Sequence, residues 1–393
     1  LPIEDQEQAD WLAIHGANCA GVDKVSFEER IQWVVENEHH IIQSAEHGLD
    51  YTWWTKFDDA WLFFAFCLEW AGYKRKGFGY LSHLPIALDG SNNGLQHYSA
   101  MLRCPVGGKA TNLTNEEHPQ DTYQQVADVV KRELERLSED CKIAKFWNNS
   151  GIITRKMTKR PVMVVPYGGT RFSCLNYVEE YVDDQIRAGI SLNFPEHKKH
   201  EYINFLTNLV WAAISEVVIS ARECMNWIRD VAKRLSKAEK PLMWATPTGL
   251  YVYQHYKAFK WRQIDTTIDG KLLRPVLLEE DGLKIDPQRS INGSAPNFVH
   301  SLDASCLTLT LHKCIKENID AFAMIHDSYG THANKTPQLA KLLREAFVEI
   351  YTDNDVLTQF RSSALEVLDE VPEPPKRGTL DLNQVLDSKY FFC

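Results

Sequence analysis

The 393-residue sequence predicts an α+β fold. Long stretches of helical periodicity flank a few short apolar runs that read as strands, and turn signals separate aromatic and β-branched segments between 243 and 276. Hydrophobic content of 44% and 11 tryptophans fit large buried cores. A chain this long exceeds one small core, so two or three packing units are expected.

The elements follow in chain order. Residues 27–47 read as an amphipathic helix, with Ser26 as N-cap and Glu29 at the capping-box position. Residues 58–73 read as a second helix, mostly buried. Residues 84–89 are an apolar run ending in an acid, the pattern of a buried strand. Residues 94–102 and 119–137 have helical character, and 201–235 is a long helical pattern compatible with one helix or two. TPTG at 246–249 and the Asp269-Gly270 pair mark the turns of one or two hairpins. Residues 294–318 are helical again, and 321–333 read as a hairpin with Asp327 at its turn. Helices are expected at 337–351 and 356–368, and the Pro-rich run 372–376 links them to a tail ending in Tyr390, Phe391 and Phe392.

Composition narrows the function. No apolar run reaches the 18 residues of a membrane span, so no membrane partner is expected. Leu1 and the acidic first ten residues read as an internal start without a signal peptide. The nine cysteines are scattered, with no C-x-x-C pair, which argues for a reducing compartment and against structural zinc. The net charge of −10 taken alone disfavours nucleic acid, but its distribution does not. Between 141 and 178 seven basic residues and no acidic one give +7, leaving −17 on the rest. A positive segment on an acidic body fits an anionic ligand, or else a solvated basic face.

Three motifs carry chemistry. The first is LDGSNNGLQHYSAMLR at 88–103, where an apolar strand delivers Asp89 next to Gly90. An isolated Asp-Gly-Ser is usually only a turn, but a carboxylate at a strand end can also hold a hard cation. Gly90 would let its own carbonyl approach the ion. The second is IHDSYG at 325–330, where another strand delivers Asp327 into a turn. Two such carboxylates, distant in sequence, are what two-metal phosphoryl transfer requires. The third is TRKMTKRPVMVVPYGG at 154–169. Arg155 and Lys159 are one helical turn apart and can clamp a triphosphate, with Tyr167 about two turns on to meet a base or sugar. By itself the run also fits a basic surface helix.

In this order, D-G-S-x-x-G-L-Q-H, R-x3-K-x7-Y-G and H-D-S resemble the signature motifs of the single-subunit RNA polymerases of bacteriophages and mitochondria. Residues 11–24 (WLAIHGANCAGVDK), 52–54 (TWW) and 293–303 (GSAPNFVHSLD), with the aromatic C-terminus, resemble the phage branch, and the likeness runs from 11 to 393.

The resemblance implies a right-hand architecture: a palm in two parts, 1–117 and 301–393, with antiparallel strands, and largely helical fingers at 118–300. It implies that the family's N-terminal domain and thumb are not in this chain. It assigns Asp89 and Asp327, with Gly90, to two Mg²⁺ ions, Arg155 and Lys159 to the triphosphate, Tyr167 to ribonucleotide selection and His300 to the 2′-hydroxyl. Arg160 and Tyr123 match positions near the nucleotide, and the hairpin at about 251–284 stands where the family reads promoter DNA, with Arg262, Asp265, Lys271 and Arg274 as base-contact candidates. The implied activity is DNA-directed RNA synthesis from NTPs. Its partners are promoter and template DNA, nascent RNA and the missing N-terminal portion, in the cytoplasm of an infected bacterium. A DNA polymerase of the same hand, whose third motif usually reads H-D-E, and a non-catalytic nucleic-acid-binding fragment are the rival readings. Two departures stand out. Pro161 and Pro166 interrupt the gripping helix, which predicts a kink, and Asn92-Asn93 occupies a place where smaller residues are usual.

Overall fold

A computed structural model describes residues 1–57 and 59–393, without the side chain of Leu283; Asp58, the expected start of the second helix, lies outside the described residues. Strand β1 (Pro2–Ile3) leads into helix α1 (Gln6–Cys19), capped by Asp5 accepting from the Gln8 N–H. The capping box of Ser26 and Glu29 forms, but 27–47 is two helices, α2 (Phe27–Glu36) and α3 (Glu38–His47). The break is Asn37, whose side chain donates to the Trp33 carbonyl at 2.8 Å and so competes with the helix ladder. Helix α4 (Ala60–Lys76) buries Phe63, Phe66 and Trp70 but leaves Trp61, Leu62 and Leu68 exposed, so it is less enclosed than its composition predicts. These helices surround a minor core with Leu12 and Trp54.

The strands β2 (Tyr80–Leu81) and β3 (Pro85–Asp89) follow, then α5 (Asn93–Met101) and α6 (Pro105–Ala110). A helical block comes next: α7 (Thr122–Leu137), α8 (Lys142–Asn148), α9 (Arg155–Val164), α10 (Arg171–Arg187), α11 (Lys199–Val217) and α12 (Ile219–Lys237). The last two meet at Val218 with a 93° bend, where the β-branched run Val217-Val218-Ile219 disfavours helix. Among the described residues no single helix is long and apolar enough to cross a membrane.

Two hairpins and a ribbon extension follow. Strands β4 (Leu242–Ala245) and β5 (Tyr251–Gln254) pair around the TPTG turn. Strands β6 (Lys257–Gln263) and β9 (Val276–Ile285) form a longer ribbon than expected, continued by β7 (Thr266–Ile268) and β8 (Lys271–Leu273). Asp269 and Gly270 turn it with φ of +51° and +74°, as the Asp-Gly signal predicts. Helix α13 (Pro287–Lys316) starts well before the expected 294, capped by Asp286. Strands β10 (Ala323–Ile325) and β11 (Ser328–His332), then α14 (Thr336–Asp353), α15 (Val356–Leu365) and α16 (Gln384–Asp387), complete the chain.

The central sheet has the order β10-β11-β3 and is antiparallel throughout. Behind it lies the main core, where Phe298 of α13, Ile228 of α12, Phe347 of α14 and the C-terminal Phe391 and Phe392 are buried. The tail after 372 is packed rather than loose: Gly378 and Leu380 donate to the carbonyls of Leu102 and Arg103, and Phe392 bridges to Gly90. All nine cysteines are free.

Candidate active site

Along β3 the side chains alternate, burying Ile86 and Leu88 and leaving Asp89 open to a cleft at the strand end. The turn after it needs Asn92 at φ +63°, a left-handed conformation that Asn tolerates better than most residues, and this accounts for one of the two unusual asparagines. On the neighbouring strands, Ile325 pairs with Ser328, so His326 and Asp327 form a two-residue hairpin turn. Ser328 in turn pairs with Asp89. Asp327 therefore stands one residue beyond that rung, and the two carboxylates share a cleft of about 320 Å³.

Two anions at one site disfavour each other's charge. Burial of its carboxyl within the cleft, then the Asp327 charge, push Asp89 up to about 6, while the Gly90 N–H works in the opposite direction. A cation between them would relieve this, and a Mg²⁺ site takes only one or two protein carboxylates, its remaining ligands being water and phosphate. The donor set therefore fits the ion. The Gly90 carbonyl accepts from the Asn92 N–H and keeps a second lone pair.

The cationic wall of the cleft is α9. Arg155 and Lys159 line it together, one turn apart. Arg155 pairs with Asp121, and its guanidinium lies over the Tyr123 ring at 5.2 Å from the centroid. Asp121 also caps α7, accepting from the N–H groups of Tyr123 and Gln124. Lys159 has no ion-pair partner among the described residues. The kinked continuous helix expected through Tyr167 is not formed. Helix α9 tolerates Pro161 but ends at Val164, and a separate 3₁₀ turn, Val165–Tyr167, begins around Pro166. The missing N–H of Pro166 costs nothing at that starting position. The turn delivers Tyr167 onto His300, the rings stacked at 4.7 Å and 10°. A Cβ on residue 94 would lie 2.7 Å from Pro166 and 3.1 Å from Tyr167, so Gly94 makes the room for this turn. Burial, then the Asp327 charge, hold the Tyr167 hydroxyl protonated well above its ordinary range. Burial, then His326, lower His300.

The family model described as DNA-dependent RNA polymerase matches residues 3–370. The chain belongs to that polymerase family. Similar proteins include the DNA-directed RNA polymerase of Enterobacteria phage K11 and the T7 RNA polymerase of Escherichia phage T7, each 36% identical over 98% of this chain and covering 47% and 48% of the relative. The mitochondrial DNA-directed RNA polymerase of Schizosaccharomyces pombe is 33% identical over 98% of this chain and 36% of its own length. The chain thus spans about half the length of the phage relatives it matches.

In this polymerase-family chain not every sequence candidate reaches the cleft. Asp89, Gly90, Tyr123, Arg155, Lys159, Tyr167 and Asp327 line it, and His300 adjoins it through Tyr167. Arg160, one residue past Lys159, is not part of this cleft lining and pairs with Glu180 at 2.8 Å. Arg262 pairs with Glu279 at 3.6 Å and Arg274 with Asp265 at 3.3 Å on the exposed ribbon, where Lys271 is also exposed; none of the four lines the cleft.

Sequence reading passed over Asp121, Asp303 and His326. Asp121 is an N-cap type of residue that the expected helix 119–137 hid inside its bounds; α7 starts at Thr122, with Asp121 as its cap. Asp303 is one turn from His300 on α13, a spacing visible in the motif. His326, Asp303 and His300 place their ligand atoms within 4.8 Å of one another.

Proposed function

We propose that this chain is the catalytic portion of a single-subunit, phage-type RNA polymerase, extending RNA from NTPs on a DNA template. The observation that carries this reading is the convergence of Asp89 and Asp327 on one cleft walled by Arg155 and Lys159. In the right-hand arrangement, residues 1–117 and 301–393 form the palm and 118–300 the fingers, with the ribbon at about 251–284 reaching toward promoter DNA.

Asp89 and Asp327, with the Gly90 carbonyl, would hold two Mg²⁺ ions, which would supply activation of the RNA 3′-hydroxyl and neutralisation of the triphosphate. Lys159 and Arg155 grip the triphosphate. The RNA 3′-hydroxyl loses its proton to solvent as its oxygen bonds to the α-phosphorus, the bond from that phosphorus to the oxygen bridging to the β-phosphate breaks, and pyrophosphate leaves with a proton from Lys159, which solvent then replaces. Because the chain contributes little covalent chemistry, positioning and charge stabilisation do the work. Arg155 exchanges Asp121 for phosphate when nucleotide arrives. Tyr167 and His300, stacked beside Asp327, meet the ribose, and a site that hydrogen-bonds a 2′-hydroxyl rejects the sugar lacking it. The partners are promoter and template DNA, RNA and the rest of the polymerase, and the setting is the cytoplasm of an infected bacterium.

Template-directed incorporation by the intact polymerase tests this reading. Asp89→Asn and Asp327→Asn should each lower NTP incorporation about a hundred- to ten-thousandfold while promoter binding persists. Full activity in either variant refutes the assignment. Preference for dNTPs by the unaltered enzyme favours the DNA polymerase reading instead.

A further inference from the structure

Asn93, the second unusual asparagine, leads to a buried carboxylate outside the cleft lining. It opens α5 only four residues after Asp89, and its amide donates to Oδ1 of Asp303 on α13. His97, one turn along α5, has Nε2 at 3.9 Å from the same oxygen. Tyr351 of α14 meets His97 Nδ1 at 2.5 Å, while His97 Nε2 is buried and makes no hydrogen bond among the described residues. The other oxygen of Asp303, Oδ2, faces His326 Nδ1 at 3.2 Å, and that nitrogen is also 3.1 Å from Oδ1 of Asp327. Asp303 is 6% exposed. His326 adopts φ +57°, a conformation costly for a non-glycine residue that persists where its surroundings impose it.

We propose that Asp303 is a positioning residue: held by Asn93, with His97 beside it, on the helix that follows Asp89, it holds His326 and through it fixes the Asp327 carboxylate opposite Asp89. The strand rung between Ser328 and Asp89 sets the backbones side by side. It does not orient the Asp327 side chain, which sits in a two-residue turn open to solvent. The Asp303–His326 link supplies that orientation from the core, tying the two metal-binding elements together from behind. A buried carboxylate with an amide donor on one oxygen and an imidazole nitrogen against the other is an effective anchor, because its geometry is set from two directions at once. Asn93 thereby has a function that a smaller residue would not perform.

The inference rests on the two-ion reading, and a binding experiment separates the two. Mn²⁺ titration of the chain, followed by electron paramagnetic resonance, reads ion affinity without requiring catalysis. Asp303→Asn and His326→Gln should each weaken Mn²⁺ binding about 10–100-fold, the usual effect of removing a group that orients a ligand. The double variant should be no weaker than the worse single one. In the intact polymerase, raising Mn²⁺ should recover much of the incorporation lost by either variant, which a merely unfolded site would not do. His326→Gln alters an exposed turn and keeps the test decisive where Asp303→Asn does not fold. Unaltered affinity in His326→Gln, or losses that add in the double variant, overturn the positioning role alone. Absence of Mn²⁺ binding in the unaltered chain overturns the two-ion reading and this inference with it.

Discussion

The cleft around Asp89 and the ribbon of β6 and β9 both carry charged residues that sequence reading nominated, yet they are held in opposite ways. In the cleft, groups from three separate stretches of chain converge and lean on further side chains: Arg155 on Asp121, Tyr167 on His300, Asp327 on His326. On the ribbon, Arg262, Arg274 and their acidic partners are more than 40% exposed and pair across the ribbon itself. Convergence of several elements fixes positions, which catalysis needs. Local pairing in water fixes little, which suits a surface that adjusts to a partner. Trp261, Leu272, Leu277 and Leu278 are also exposed there, an apolar surface that the described residues do not cover.

Substitutions can break or sharpen this contrast. After the aspartates themselves, Lys159→Ala should cost most, lowering kcat/KM for NTPs about 10–100-fold, since charge-assisted hydrogen bonds to phosphate are worth about 1.5–3 kcal/mol. A loss confined to promoter binding in a steady-state assay would erase the distinction between cleft and ribbon. Lowering pH should have the next largest effect. The folded chain holds the Asp89 proton up to about 6, against an ordinary 3.8, so without metal its stability falls as pH rises through that window. Cation and proton compete for the same carboxylate. The Mg²⁺ concentration giving half-maximal binding should therefore rise about tenfold per unit as pH drops below about 6, and calorimetric titration at pH 5, 6 and 7 checks it. A flat profile would show that Asp89 holds no ion.

Tyr167→Phe sharpens the comparison within the cleft. It keeps the ring that stacks on His300 and removes only the hydroxyl. RNA synthesis should stay within a few-fold, while competition between NTP and dNTP shows discrimination falling by about tenfold or more. The smallest effect belongs to the ribbon. Arg262→Ala and Arg274→Ala should shift thermal unfolding by less than about 0.5 kcal/mol and leave incorporation on a promoter-free template unchanged. Promoter-directed initiation is where their loss should register. A strong loss on both templates would mean that the ribbon supports the cleft.

Local chemistry was legible wherever a signal acted over a few residues. The Ser26–Glu29 capping box, the Asp269-Gly270 turn and the hairpin with Asp327 at its tip all stand where the sequence places them. Reading failed where a polar side chain intervened, as at Asn37, which splits one expected helix into two. It failed again after α9, where the spacing of Arg155, Lys159 and Tyr167 suggested one face of one helix. Tyr167 instead reaches the cleft from a separate turn, in space that Gly94 leaves free.

By itself, the sequence determined the residue types, their order and the short-range turns and caps, because each depends on backbone preferences spanning three or four positions. Only tertiary structure decided that β11 lies against β3 with Ser328 opposite Asp89, that Lys159 lines the cleft and Arg160 does not, and that Asp303 reaches both α5 and His326. Strand register and helix facing follow from which side of each element is buried, and burial is a property of the assembled chain rather than of any segment.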